Sequence, residues 1–356
     1  MKLPKHQIVS LSNVKGIGPG KIRALLQKYP NTDCLSKLNA SDMMQVRGIT
    51  REIANSIKMM DVSIGKQSLA DAEKINARYI TYWDDEFPDS LKRVFDSPIG
   101  IYIIGKLKDI PKLGVVGSRK PTPYGKLTCN NLTEKLVKSN LGIVSGLARG
   151  IDSLAHGVAV KNGGYTIAVM GCGINICYPP ENRSLREKII ETGAIISEFP
   201  PGTPPDSTNF PKRNRIISGL SKGILVIEAG KKSGAVITAY LALDQNREVF
   251  AVPGRIDSEQ SYGCHKLIQQ GAKLVTSVDD VLEEFQLPKA TFQTELIPEL
   301  TDAESDLFKF ISNEAVHIDH LCNISGKDTP EVLTNLLQLE LKGCIIQLPG
   351  KNFTRR

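Results

Sequence analysis

Val115-Val116-Gly117-Ser118-Arg119-Lys120-Pro121-Thr122-Pro123-Tyr124-Gly125 is the stretch on which the fold turns. A β-branched pair, a tight glycine turn and the start of a helix follow one another, so backbone N–H groups and a helix N-terminus converge at a place suited to an anion. Arg119 adds a guanidinium able to hold two phosphate oxygens, and Lys120 adds a point charge. The same segment also reads as a sharp turn carrying a solvated arginine, so the loop alone does not settle a function.

Outward from it, short apolar runs alternate with helical patterns. Val115–Val116, Ile143–Val144, Thr166–Met170, Ala194–Ile196, Ile224–Ile227, Val249–Val252 and Lys273–Val275 read as buried strands, which predicts a parallel α/β sheet. More than half of the 30 glycines fall between Gly142 and Gly271, so the loop chemistry is concentrated there. A second glycine loop, Ser145-Gly146-Leu147-Ala148-Arg149-Gly150-Ile151-Asp152, follows the next strand and opens a helix carrying His156. Ligands of open α/β sheets sit outside the carboxyl ends of the strands, so both loops are expected to line one crevice. Asp152 reads as a helix-capping acid before it reads as a general base. His156, four residues on, is within reach of it and reads as a buried structural histidine.

The densest charge is Asn209-Phe210-Pro211-Lys212-Arg213-Asn214-Arg215, with three cations and an aromatic at a predicted helix start. Cations that track a backbone beside a ring that stacks on bases suit single-stranded nucleic acid, against the ordinary reading of a solvated helix face. Glu228-Ala229-Gly230-Lys231-Lys232-Ser233-Gly234 is a further strand–turn–helix step, either a phosphate site or a plain turn, with Ser233 as its cap. Pro200 to Pro205 is a stiff loop that positions the basic cluster.

Residues 1–65 hold two similar elements, Val14-Lys15-Gly16-Ile17-Gly18-Pro19-Gly20 and Val46-Arg47-Gly48-Ile49-Thr50, each a glycine turn before a helical pattern, as in helix-hairpin-helix units. The first either offers backbone N–H groups to a phosphate or only packs; the second, lacking the Gly-x-Gly step, is structural. Gln286 to Pro298 reads as a linker. After it, Glu304–Ile311, His317–Cys322 and Pro330–Leu341 read as three helices and Cys344–Phe353 as a hairpin, the elements of a winged helix. Asp328, Glu331 and Glu340 make that unit a poor phosphate surface, which favours protein docking or an accessory role.

The whole chain fits these pieces. Its 356 residues make two or three domains at ~100 to 200 residues each. Hydrophobic residues at 41% and charged residues at 23% exclude extensive disorder. A net charge of +7 favours a polyanionic partner without demanding one. The 7 cysteines form no CxxC pair, which argues against a zinc ribbon or disulfide framework and for a reducing cytoplasm. No signal peptide is indicated at the start, and the longest uncharged stretch, residues 162–180, is too rich in glycine, proline and asparagine for a membrane span. No metal site is indicated.

The ordered series GSRKPTPYG (117–125), VSGLARGIDSLAH (144–156), AVMGCGINICYPPEN (168–182), SEFPPGTPP (197–205), FPKRNRIISGLS (210–221) and EAGKKSGAVITA (228–239) strongly resembles the DNA-processing protein A family, also called Smf. The resemblance covers residues 75–287, including the approach Tyr82-Trp83-Asp84-Asp85-Glu86-Phe87-Pro88. It implies an extended Rossmann-like domain over those residues, with an N-terminal helix-hairpin-helix (SAM-like) helical domain at 1–65 and a C-terminal winged-helix domain at 299–356. It further implies a single-stranded DNA-binding recombination mediator of natural transformation. Such a protein protects incoming DNA and helps load the RecA recombinase, without cofactor, metal or established catalysis. The family's DNA contacts map to Gly117, Ser118 and Arg119, to Ser145, Gly146 and Arg149, and to Lys212, Arg213 and Asn214; beside them, the residues themselves offer a ring such as Phe210 for base stacking. A homodimer through residues 230–285 is the implied assembly.

An enzyme on the same fold is the alternative. Phosphoribohydrolases of the cytokinin type carry a Pro-Gly-Gly-x-Gly-Thr turn followed by a catalytic glutamate, whereas this chain has Gly230-Lys231-Lys232-Ser233-Gly234 and no glutamate after it. Neither glycine loop spells the dinucleotide fingerprint of a dehydrogenase, and no carboxylate cluster suits a two-metal nuclease.

Overall fold

The structure is a computed structural model that describes residues 3–31, 35–288, 300–312 and 315–355. Cys34 and most of the expected linker, residues 289–299, lie outside the described residues. By internal contacts the chain makes two compact units, Met1–Lys289 and Ala290–Arg356.

The first unit is built on a nine-stranded sheet: β1 (Arg78–Thr81), β2 (Gly100–Gly105), β3 (Lys112–Val116), β4 (Gly142–Ser145), β5 (Thr166–Met170), β6 (Ala194–Ser197), β7 (Gly223–Val226), β8 (Glu248–Ala251) and β9 (Lys273–Leu274). Their order is β1-β2-β6-β5-β4-β3-β7-β8-β9, and every pairing from β6 to β9 is parallel. All seven strands read from the sequence are present, because strands covered on both faces must be apolar throughout and therefore stand out as unbroken runs. β1 and β2 extend the sheet antiparallel at one edge, a feature the strand–helix rhythm did not reveal. Between β6 and β7 the chain crosses from one side of β3 to the other, so the carboxyl ends of β3 and β7 flank the crevice where the connections diverge.

Helices cover both faces. Pro123–Lys138 and Ile151–Lys161 follow β3 and β4, and Arg183–Thr192 follows β5. Asn209–Leu220 and Gly234–Asp244 flank β7. One core joins Val116, Val144, Ile167, Ile196 and Val226 to Ile216, Ile217, Leu220 and Ala239. The opposite face packs Ala168, Met170 and Ile195 with Leu147, Ile174 and Ile189. Each such fully buried aliphatic side chain contributes ~1.5–3 kcal/mol.

The front helices belong to this unit. Lys5–Ser12 and Val62–Glu73 pack on each other, and Val9 and Ala72 reach Tyr79 and Tyr102 on β1 and β2. Arg23 donates to the carbonyls of Ser97 and Phe95 at 2.5 and 2.6 Å, and Lys5 pairs with Asp84 at 2.8 Å. The two hairpin-like repeats are folded against one another in a reciprocal way. Gly16 faces Ile53 and Gly48 faces Lys21, both glycines at φ +85°, five residues before the side chain that covers the other's turn. Gly18 and Gly20 of the first repeat face open space, so its backbone is accessible.

The second unit has the three helices expected, Asp302–Lys309, Ile318–Ser325 and Thr329–Leu341. A three-stranded sheet joins them: β10 (Val316–His317), β11 (Ile345–Leu348) and β12 (Asn352–Arg355), in the order β10-β12-β11. His317 caps the second helix rather than sitting within it. The third helix bears no cation and exposes Leu333, Leu337 and Leu341 beside Glu331.

His156 is buried as expected, but its partner is not Asp152. Its Nδ1 lies 2.7 Å from Thr166 Oγ1, whose hydroxyl donates to the Ile143 carbonyl at 2.9 Å, so His156 is the donor of the pair. Burial, reinforced by repulsion from Arg213, pulls the imidazole pKa down to about 3. The folded ring therefore stays neutral while the unfolded ring protonates near 6.5. The stability this site contributes is complete above that value and is lost as pH falls from 6.5 toward 3. Between about pH 6.5 and 5, denaturant unfolding of the wild type should lose up to ~1.4 kcal/mol per pH unit more than His156→Gln; equal slopes would refute the assignment.

Candidate nucleic-acid interface

The carboxyl ends of β3, β4 and β7 open into a cleft of about 870 Å³. Its walls are the Gly117–Lys120 turn, the start of Asn209–Leu220 and the Gly230–Gly234 turn, with Tyr178 and Gln260 at the sides. The two glycine loops do share one crevice. They interlock: Ile151 N–H donates to the Ser118 carbonyl at 3.1 Å, and Gly150, at φ +80°, leaves no room for a Cβ, which would fall 2.2 Å from that same oxygen.

The helix N-terminus beside the first loop is already neutralised. Glu228, buried at the end of β7, accepts from Thr122 N–H at 2.9 Å and from the Thr122 hydroxyl, while Thr122 Oγ1 accepts from Gly125 N–H at 3.1 Å. A Cβ on Gly125 would lie 2.3 Å from that carboxylate, so the glycine admits it. The anion site inferred from strand, turn and helix thus holds the protein's own anion. An incoming phosphate is left to Arg119 and Lys120, both exposed at the rim.

The basic cluster divides in the same way. Arg215 is buried, donating to both Glu198 oxygens at 2.6 and 2.5 Å and pairing with Asp96 at 3.3 Å. Arg213 is buried at the cleft floor and donates through Nη1 to the Val169 carbonyl at 2.5 Å. Asp152 lies beside it and accepts from Gly146 N–H at 3.1 Å; burial pushes its carboxyl pKa up, and the Arg213 charge opposes that. Asn214 is buried and lines the cleft. Lys212 alone of the three cations is exposed, and it does not line the cleft. The helix is enclosed by the sheet and the segment around Asp96, so residues 213–220 are all buried, which charge density in the sequence does not disclose.

Other expected contacts are engaged within the protein. Ser145 is buried and donates to the Val115 carbonyl at 2.6 Å. Ser118 donates to Gln260 at 3.0 Å and accepts from Lys120 N–H at 3.1 Å. Arg149 pairs with Glu181 at the surface. Phe210 is stacked on Tyr178, with centroids 5.9 Å apart and planes at 30°, and Arg119 lies over its ring at 5.6 Å. Lys231 and Lys232, read in the sequence as either a phosphate site or a plain turn, are exposed and line the same cleft as Arg119, with Lys231 Nζ 5.7 Å from the Tyr262 ring centroid. The sequence reading did not single out Tyr178, although it lies in the quoted motif AVMGCGINICYPPEN. Among the residues lining the cleft, Asp152 is the one acid against Arg119, Lys120, Arg213, Lys231 and Lys232. Among the described residues no three histidine, cysteine or acidic side chains gather as a metal site.

Residues 78–286 match the family model described as DNA recombination-mediator protein A, and residues 288–351 match the DprA winged helix domain. The chain belongs to the DprA family. It is 37% identical to protein Smf of Escherichia coli, over 97% of this chain and 93% of that one. Against the X-ray structure of DNA processing protein A from Streptococcus pneumoniae it has a TM-score of 0.71 at 36% identity, over 80% of this chain and 99% of that one. Against DNA processing protein A from Helicobacter pylori, a structure concerned with its single-stranded DNA binding mode, the TM-score is 0.53 at 30% identity, over 59% of this chain and 96% of that one. The α/β sheet with a C-terminal winged helix is the architecture expected of a DprA member.

Gly146 reports on the placement of Arg213. A Cβ there would fall 2.0 Å from Arg213 Nη1. Gly146→Ala must displace the buried Arg213 guanidinium from the Val169 carbonyl, and should cost about 1.5–3 kcal/mol in denaturant unfolding. A change under about 1 kcal/mol would show that Arg213 is not held as described.

Proposed function

We propose that the cleft binds the backbone of single-stranded DNA and that the chain acts as a recombination mediator by binding, without catalysis. The observation that carries the proposal is that exposed Arg119, Lys120, Lys231 and Lys232 line one cleft, and that Asp152, the one acid among its lining residues, is buried. Such a surface suits successive phosphates of a flexible strand, and the Tyr178–Phe210 pair suits its unstacked bases. A duplex cannot bend a few phosphates into the crevice or present its bases. The single-stranded DNA binding mode described for the Helicobacter pylori relative supports the same reading. Asp152 and Glu228 are buried and spent on structural hydrogen bonds, so the phosphoribohydrolase alternative finds no exposed acid there.

The reading extends to protection of incoming DNA in natural transformation, to RecA loading and to a cytoplasmic homodimer. No helix among the described residues is long and apolar enough to cross a membrane. The helix Gly234–Asp244 exposes Tyr240 and Leu243, and Tyr262 and Leu274 are exposed within the same expected interface. Leu243→Glu should shift the sedimentation coefficient from dimer to monomer; a wild type that is already monomeric at micromolar concentration would refute that interface.

The central test is fluorescence anisotropy of a labelled oligothymidine and its duplex over a salt series. The wild type should prefer the single strand. Arg119→Ala and the pair Lys231→Ala with Lys232→Ala should each weaken binding about tenfold or more and flatten the salt slope by about 0.7 per lost phosphate contact. Equal affinity for both DNA forms, or variants that bind as the wild type does, would overturn the proposal.

A further inference from the structure

We infer that Tyr178, not Phe210, is the ring on which a base of the bound strand stacks; the inference rests on the single-strand reading of the cleft. Phe210 also lines the cleft but is half-buried. A Cβ on Gly171 would meet its Cδ1 at 2.7 Å, so the ring edge lies against that backbone. Tyr178 stacks on it at 5.9 Å, and the guanidinium carbons of Arg119 and Arg213 lie 5.6 and 6.0 Å from its centroid. Phe210 is thus a platform that orients Tyr178 and Arg119.

Tyr178 is the more open of the two rings. It lines the cleft and remains 37% exposed between half-buried Cys177 and buried Pro179. An exposed aromatic ring, backed by a second ring and standing beside Arg119, forms a step next to a phosphate-binding cation. A base stacked there would extend the Phe210–Tyr178 pair by one more ring, while the phosphate of the same nucleotide meets Arg119. Because every base has a π-face, such a step binds bases without reading sequence.

The test uses the full chain with an oligothymidine and an abasic oligonucleotide of the same length. Tyr178→Phe should bind both as the wild type does. Tyr178→Leu should bind oligothymidine on the order of 5- to 100-fold more weakly, with the salt slope and the affinity for the abasic strand unchanged. Tyr178→Trp supplies a direct readout: its added fluorescence should be quenched by oligothymidine and not by the abasic strand, with Trp83, packed on the front helices, as the common reference. A Tyr178→Leu protein that melts as the wild type does and binds oligothymidine equally well would overturn the inference, as would added fluorescence in Tyr178→Trp that is indifferent to DNA. Failure of the wild type to bind either strand, or of Arg119→Ala to weaken it, would instead overturn the underlying reading of the cleft.

Discussion

A buried guanidinium holds the cleft together. Arg213 reaches from the helix Asn209–Leu220 to the Val169 carbonyl on β5, and its charge is felt by the buried Asp152 carboxylate at the head of the helix after β4. Desolvating a charge costs several kcal/mol unless an opposite charge and hydrogen bonds offset it. The Val169 carbonyl, the nearby Asp152 charge and the missing side chain at Gly146, which leaves room for the guanidinium, supply part of that compensation, and Arg213 Nε stays buried without a hydrogen-bond partner. Three elements from separate parts of the sequence are fixed to one another as a result, and the positions of Phe210 and, through it, of Tyr178 and Arg119 follow from theirs.

A division between structural and exposed charge runs through the whole site. Glu228 occupies the helix N-terminus at Thr122, and Arg215 is tied to Glu198 and Asp96. The groups that a strand of DNA would meet are the ones left at the surface: Arg119, Lys120, Lys231 and Lys232. Flexible cations on the rim of a firmly braced cleft favour recognition of a backbone that is sensitive to salt and indifferent to sequence. Specific base readout needs fixed, directional hydrogen-bond partners, and Ser118, Asp152 and the Arg213 Nη1 of this cleft are engaged within the protein.

The two ends of the chain contribute in different ways. The front helices are bound to the sheet edge through Val9, Ala72, Lys5 and Arg23, so they brace β1 and β2 while their first glycine turn stays open at the surface. The winged-helix unit keeps its own core around Leu307, Leu321, Leu336 and Phe353. Its third helix offers leucines where a DNA-reading helix would offer cations.

The sequence by itself determined the parallel sheet, the glycine loops at its carboxyl edge, the winged helix and the membership of the DprA family. Unbroken apolar runs, glycine turns and ordered motifs are local signals, and each is fixed by a few neighbouring residues. The convergence of both glycine loops on one crevice was legible too, because in an open parallel sheet the loops after adjacent strands must meet at the same edge. What it left open was which charges face outward. Arg213 and Arg215 look the same as Lys212 along the chain, yet the enclosure of their helix by the sheet and the Asp96 segment makes them internal. The filling of the Thr122 helix end depends on Glu228, more than a hundred residues away. The pairing of Tyr178 with Phe210, and the antiparallel edge made by β1 and β2, likewise join distant segments. Burial and partnership are properties of how segments meet, so only the tertiary structure decided them.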